Sequence, residues 1–238
     1  MLSCALHGKP EGGMGRQAHL PGASMTRKER ANAVLEKLAS RYPHPATHLE
    51  ARNAWELTVA TVLAAQCTDK RVNTVTPVLF ARWPGPHDLA QASQEELEGV
   101  IRSTGFYRNK AKNLLAAARR VVEVYGGKVP DTMRELVTLP GVARKTANVV
   151  LWGAFGINEG LAVDTHVGRI AVRLGLTRHT DPVRVEKDLM ELFPQAEWGN
   201  VNHRLVWFGR DVCDARKPAC SLCEMSGICP KMQVARSG

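Results

Sequence analysis

The chain has 238 residues, room for a sizeable core and one or two domains. Its 32 Lys and Arg against 23 Asp and Glu leave a net charge of +9 and a pI near 9.5, which points to a polyanionic partner, nucleic acid before membrane. No apolar run reaches the roughly 18 residues of a membrane span, and the opening MLSCALHGKPEGG lacks the basic start and apolar stretch of a signal peptide, so a cytoplasmic protein is expected.

In chain order, residues 1–24 are rich in Gly, Pro and His without periodicity and are predicted to form a disordered tail. Thr26 and Glu29 have the spacing of a capping box. They open a helix with Val34, Leu35 and Leu38 on one face, which PHPATH ends. Residues 53–65 are apolar nearly all round, as in a buried helix. Asp69 is placed to cap the next one. Helical patterns recur over 70–82, 94–102, 107–125, 131–138, 142–155, 165–175, 182–193 and 198–210, separated by short Gly and Pro connectors. No stretch alternates as a strand, and the fold class is all-α.

The most specific internal segment is LVTLPGVARKTANVVL, residues 136–151. It predicts a short helix ending at Leu139, a tight turn at Pro140 and Gly141, and a second helix opening at Val142 or Ala143. The free N–H groups and positive dipole end of such a helix can hold a phosphate. Arg144 and Lys145 add cations. The same residues also suit a plain helical hairpin with a basic surface pair. Asp164 stands before THVGRIAVRLG, where aspartate is a favoured N-cap.

Cys213, Cys220, Cys223 and Cys229 have the spacing C-x6-C-x2-C-x5-C. Loops this short cannot bury four thiols separately, so one centre held by four thiolates is expected. Spacing alone leaves zinc and iron–sulfur both open. With six cysteines in a cytosolic reading, metal binding is favoured over disulfides. Cys4 and Cys67 read as free thiols. Between the first two ligands lies a basic loop with Arg216 and Lys217.

Four segments together resemble the endonuclease III family of helix–hairpin–helix DNA glycosylases: VLAAQCTD at 62–69, the hairpin LPGVARKTANVVL, AVDTH at 162–166, and GRDVCDARKPACSLCEMSGIC. The resemblance runs from about residue 26 to 231, in the family's order. It implies two domains: a six-helix domain over 47–158, and a cluster domain formed by 25–46 with 159–238. The active site would lie in the cleft between them. It implies a [4Fe-4S] cluster on the four cysteines. It also implies a bifunctional DNA glycosylase/AP lyase, a monomer acting on double-stranded DNA that contains damaged pyrimidines or abasic sites.

By this resemblance Lys145 is the nucleophile, its ammonium disfavoured by the helix dipole and Arg144, and Asp164 stabilises the positive charge that develops on the sugar. Gln66 fills the gap left by a flipped nucleotide. Phe106 stands where the family commonly has leucine and is expected at the tip of a DNA-facing loop, with Tyr107 nearer the core. Gly141, Ala143, Arg144, His166, Arg216 and Lys217 complete the expected DNA contacts. Three departures touch this pattern: Ala143 replaces a usual hairpin glycine, Ala64 replaces a usual serine, and GINEGLAVD is slightly longer than the common form. Two alternatives stay open on sequence: a sister glycosylase without lyase activity, against which Lys145 argues, and a DNA-binding protein without catalysis.

Overall fold

The computed structural model describes residues 25–235 and 237–238. The expected tail at 1–24, with Cys4, lies outside the described residues. Those described contain eleven α-helices and two 3-10 turns, and no strand. The helices are α1 (Arg27–Arg41), α2 (Ala54–Leu63), α3 (Asp69–Arg82), α4 (Pro86–Ala90), α5 (Gln94–Ile101) and α6 (Tyr107–Tyr125). They continue with α7 (Met133–Leu136), α8 (Arg144–Phe155), α9 (Thr165–Arg173), α10 (Pro182–Leu192) and α11 (Trp198–Asp211). None is long and apolar enough to cross a membrane.

Local signals account for most helix ends. Thr26 and Glu29 form the capping box of α1, and Ser93 and Glu96 form another at α5. Asn53 caps α2 and Asp181 caps α10, with Pro182 at its first position. The expected cap Asp69 is a correction: Thr68 caps α3, and Asp69 is its first residue. Threonine's hydroxyl reaches the Arg71 amide and leaves the Asp69 carboxylate free to pair elsewhere. The five-residue α4 is shorter than two turns, so its sequence carries no helical period.

Apolar side chains gather in two cores. The first spans Leu49 to Leu151 and unites α2 to α8 through residues such as Leu63, Leu79, Leu97, Leu114 and Leu136. The second unites α1 with α9, α10 and α11, and includes Val34, Leu38, Ile170, Leu189, Leu205 and Phe208. The described residues therefore start in the second core, cross to build the first, and return. Polar latches join the two. Glu186 on α10 accepts from Arg144 Nε at 2.8 Å and from Asn148 Nδ2 at 3.0 Å, both on α8. Arg210 on α11 pairs with Asp69 on α3 at 2.7 Å.

Candidate nucleic-acid interface and active site

The hairpin opens with α7, which ends at Leu136, earlier than the expected Leu139. Leu139 and Val142 then fold inward and are buried, joined by an amide-to-carbonyl hydrogen bond of 3.0 Å. Between them Gly141 has φ +82°, and a Cβ there would meet the Asn113 Cβ at 3.0 Å. The positive φ favours glycine, and the close approach of Asn113 adds to that preference. Ala143 has φ −84° and ψ 168°, ordinary extended backbone, so alanine is unstrained at this departure from the family pattern. It is the N-cap of α8 and offers no side-chain cap. The first amides of α8 are thus left for an outside acceptor. Arg144 turns back to Glu186 and is 46% exposed, so its cation is partly engaged within the protein.

Lys145, the second residue of α8, is exposed on the wall of a cavity of about 230 Å³. Asp164 lines the same cavity as the N-cap of α9. Its Oδ1 accepts from the Val167 amide at 2.8 Å. The cavity sits where the two cores meet: α2 and α8 supply Thr61, Ala64, Thr146 and Val149, and α11 supplies Asn202, His203, Val206 and Trp207.

Several of these wall residues were not singled out by sequence. His203 is buried, and its pKa is pushed down to about 4, first by burial and then by His48, against the pull of Asp164. It stands neutral at ordinary pH. Asn202 Nδ2 donates to the Ala162 carbonyl at 2.6 Å and ties α11 to the segment that leads into Asp164. Trp207 donates through Nε1 to His48 Nδ1 at 3.2 Å, and its ring meets Tyr42 edge-on at 5.5 Å. Asn202, His203 and Arg204 are consecutive polar residues between the core residues Val201 and Leu205, and only the fold shows all three to be buried.

His166 faces a neighbouring groove with His48, Cys67, Asp69 and Arg210, outside the cavity of Lys145 and Asp164. Its Nδ1 lies 3.2 Å from Arg169, which also donates to the Cys213 carbonyl at 2.9 Å. Burial, with smaller contributions from Arg169 and Arg210, lowers its pKa against the pull of Asp164.

Gln66 and Phe106 share an unusual backbone. Both are exposed, non-glycine residues in the left-handed region, with φ 54° and 48°. Gln66 is on the cavity rim. Phe106 follows Gly105, is 66% exposed and lies outside the core, while Tyr107 packs against it. A bulky residue at positive φ is a true outlier, and such strain concentrates at functional sites.

Residues 59–195 match the HhH-GPD superfamily base excision DNA repair protein family. Endonuclease III of Synechocystis is 52% identical over 88% of this chain and 96% of its own length. Endonuclease III of Bacillus subtilis is 46% identical over 84% and 91%. A solved structure of a non-covalent endonuclease III–DNA complex superposes with a TM-score of 0.83 at 44% identity, over 87% of this chain and 97% of that one. The chain belongs to the endonuclease III family.

Family membership brings an iron–sulfur cluster into question, and the four cysteines can be tested for fit. Cys213, Cys220, Cys223 and Cys229 line one pocket behind α9 and α11, with Phe208, Val212 and Met225. Among the described residues no three metal-binding side chains converge on a single-ion site. The fit rests instead on the shared apolar pocket and on N–H donors aimed at sulfur. Arg173 reaches Cys213 Sγ at 3.3 Å, the Met225 amide reaches Cys223 at 3.4 Å, and the Lys231 amide reaches Cys229 at 3.3 Å. Burial pushes the Cys223 and Cys229 thiols up, and the neighbouring cysteines push the same way. A cationic group among them would reverse that, and N–H···S donors are the usual support of cluster thiolates. Arg216 and Lys217 are exposed on the loop above, where their amides bond Asp214 Oδ1 at 2.8 and 3.0 Å.

Proposed function

We propose that this chain excises oxidised pyrimidines from duplex DNA and then cuts the strand 3′ of the abasic site, with Lys145 as the nucleophile. It is a DNA glycosylase/AP lyase of base excision repair. The observation that carries the reading is an exposed amine and a half-buried carboxylate on one cavity, placed where two helical cores meet.

A sugar C1′ inside stacked DNA is out of reach, so the damaged nucleotide must leave the helix. The Lys145 amine attacks C1′ with its lone pair. The glycosidic bond breaks, its electrons leave on the base, and the base takes up a proton. Ring opening leaves an iminium between Nζ and C1′. Loss of a C2′ proton then drives the C3′–O bond to break, and the 3′-phosphate departs. Asp164, with Oδ1 already held by the Val167 amide, presents the rest of its charge to the sugar as C1′ becomes electron-poor.

Gln66 and Phe106 occupy the space vacated in the stack. Their exposure and fixed backbone support that role. Gly141, Ala143 and Arg144, at the open end of α8, with His166, Arg216 and Lys217, track phosphates without reading sequence. Cys213, Cys220, Cys223 and Cys229 hold a [4Fe-4S] cluster. When bound, it supplies a rigid four-point anchor for the basic loop. The partner is double-stranded DNA with a damaged pyrimidine or an abasic site, and the first core, residues 47–158, and the second, 25–46 with 159–238, grip it as two domains. Strand cleavage at an abasic site, with covalent trapping by borohydride, tests the whole scheme. Cleavage without any trappable adduct would remove Lys145 from its role.

A further inference from the structure

Lys110 is the one lysine buried among the described residues, 5% exposed on α6. Its Nζ donates to the Leu63 carbonyl at 2.7 Å and to the Thr104 carbonyl at 2.8 Å. Burial lowers its pKa and the nearby Cys67 thiol raises it, with no carboxylate contributing. Its counter-charge comes from backbone. Leu63 ends α2, and Thr104 ends the 3-10 turn Arg102–Thr104. Both carbonyls belong to helix C-termini, where the last C=O groups lack partners and the dipole favours a cation.

What these two carbonyls precede is the point. Gln66 follows Leu63 by three residues, and Phe106 follows Thr104 by two. Both are exposed non-glycine residues held at positive φ, Gln66 on the cavity rim, and each needs a surrounding that over-determines its backbone. We propose that Lys110 is a positioning residue that pins the Gln66 loop to the Phe106 loop, so that both side chains enter the duplex as one rigid wedge. This rests on the reading that those side chains fill the vacated stack. Lys110 itself touches no DNA. It acts by fixing the separation of two loops that, among the described residues, no other side chain joins by hydrogen bonds to both.

The test uses the full, cluster-loaded chain with Lys110→Met, which keeps length and loses both donors. Two substrates are compared: a duplex with one thymine glycol, and a single-stranded oligonucleotide with an abasic site, which has no stack to fill. Lys110→Met is expected to slow duplex excision at least ten-fold, to leave borohydride trapping on the single strand within two-fold, and to speed amide exchange only at 64–68 and 104–108. If it is insoluble, Lys110→Gln, with a shorter donor arm, is expected to show the same selective loss. An unchanged duplex rate overturns the proposal. So does a parallel loss on both substrates with faster exchange throughout α6, which would make Lys110 an ordinary core residue. Gln66→Ala and Phe106→Ala are run alongside. If neither slows duplex excision, the wedge reading fails and the Lys110 role falls with it. If both slow it and Lys110→Met does not, only the Lys110 role fails.

Discussion

Lys145 and Asp164 face one cavity from helices of different cores: Lys145 is the second residue of α8, and Asp164 is the N-cap of α9. Neither core alone brings an amine and a carboxylate together. The latches between the cores, Glu186 with Arg144 and Asn148, and Asp69 with Arg210, therefore set the geometry of the site. Lys145→Gln should abolish borohydride trapping on abasic DNA while changing duplex affinity by only a few-fold, because one phosphate-scale contact among several is lost. Gel-based trapping beside a binding titration decides it. A variant that traps at the wild-type rate would point to another amine.

Asp164 has two separable jobs. Its Oδ1 caps α9, and asparagine keeps a capping oxygen while losing the charge. Asp164→Asn should thus slow base excision by about 10²–10³-fold with little change in melting temperature. Asp164→Ala should add a cap loss of about 1 kcal/mol, roughly 2–4 °C in a chain of this size. Equal excision rates for wild type and Asp164→Asn would leave the residue as a cap alone.

His203 gives the fold a pH signature. Burial pushes its pKa down to about 4, against about 6.5 for an ordinary histidine. A group depressed in this way stabilises the fold fully above the unfolded value. The contribution is lost as pH falls from about 6.5 towards 4, because the unfolded chain takes up the proton first. The limit is on the order of 3 kcal/mol. Melting curves between pH 7.5 and 4.5 should show this decline, and His203→Gln should flatten it. The same slope in wild type and variant would assign the decline to other groups.

The cysteine pocket makes a chemical prediction. Protein purified without exposure to chelators should be yellow-brown and contain about four irons per chain. Cys220→Ser should lose colour and weaken DNA binding through disorder of the Arg216 and Lys217 loop, while the first core still unfolds cooperatively. A colourless, folded protein with one zinc per chain would overturn the cluster assignment.

The all-α class and most helices were legible because each carries its own capping and periodicity signals, as at Thr26, Asn53 and Asp181. The hairpin was visible for the same reason: Pro140 and Gly141 mark its turn, and Gly141 adopts the positive φ that favours glycine. What stayed hidden depends on assembly. Sequence cannot say that Arg144 turns to Glu186, forty-two positions on, or that His203 and Trp207 of α11 close a cavity begun by α2 and α8. The burial of Lys110 is hidden in the same way, because helical periodicity on α6 does not reveal the carbonyls of Leu63 and Thr104 that receive its amine.

Phe106 offers the sharpest separation of stability from function. It is 66% exposed, so its truncation removes little core contact. Phe106→Ala should leave the melting temperature nearly unchanged. If the ring stacks on a base, worth roughly 1–3 kcal/mol, affinity for an abasic duplex should fall about 5- to 150-fold. Phe106→Leu should keep activity, with an altered preference for the opposite base. Phe106→Gly separates the terms further, since φ 48° suits glycine and strains phenylalanine. The glycine variant should melt no lower than Phe106→Ala and bind no better. A large fall in melting temperature for Phe106→Ala, with excision intact in the folded fraction, would make the ring a packing residue and remove it from the DNA face.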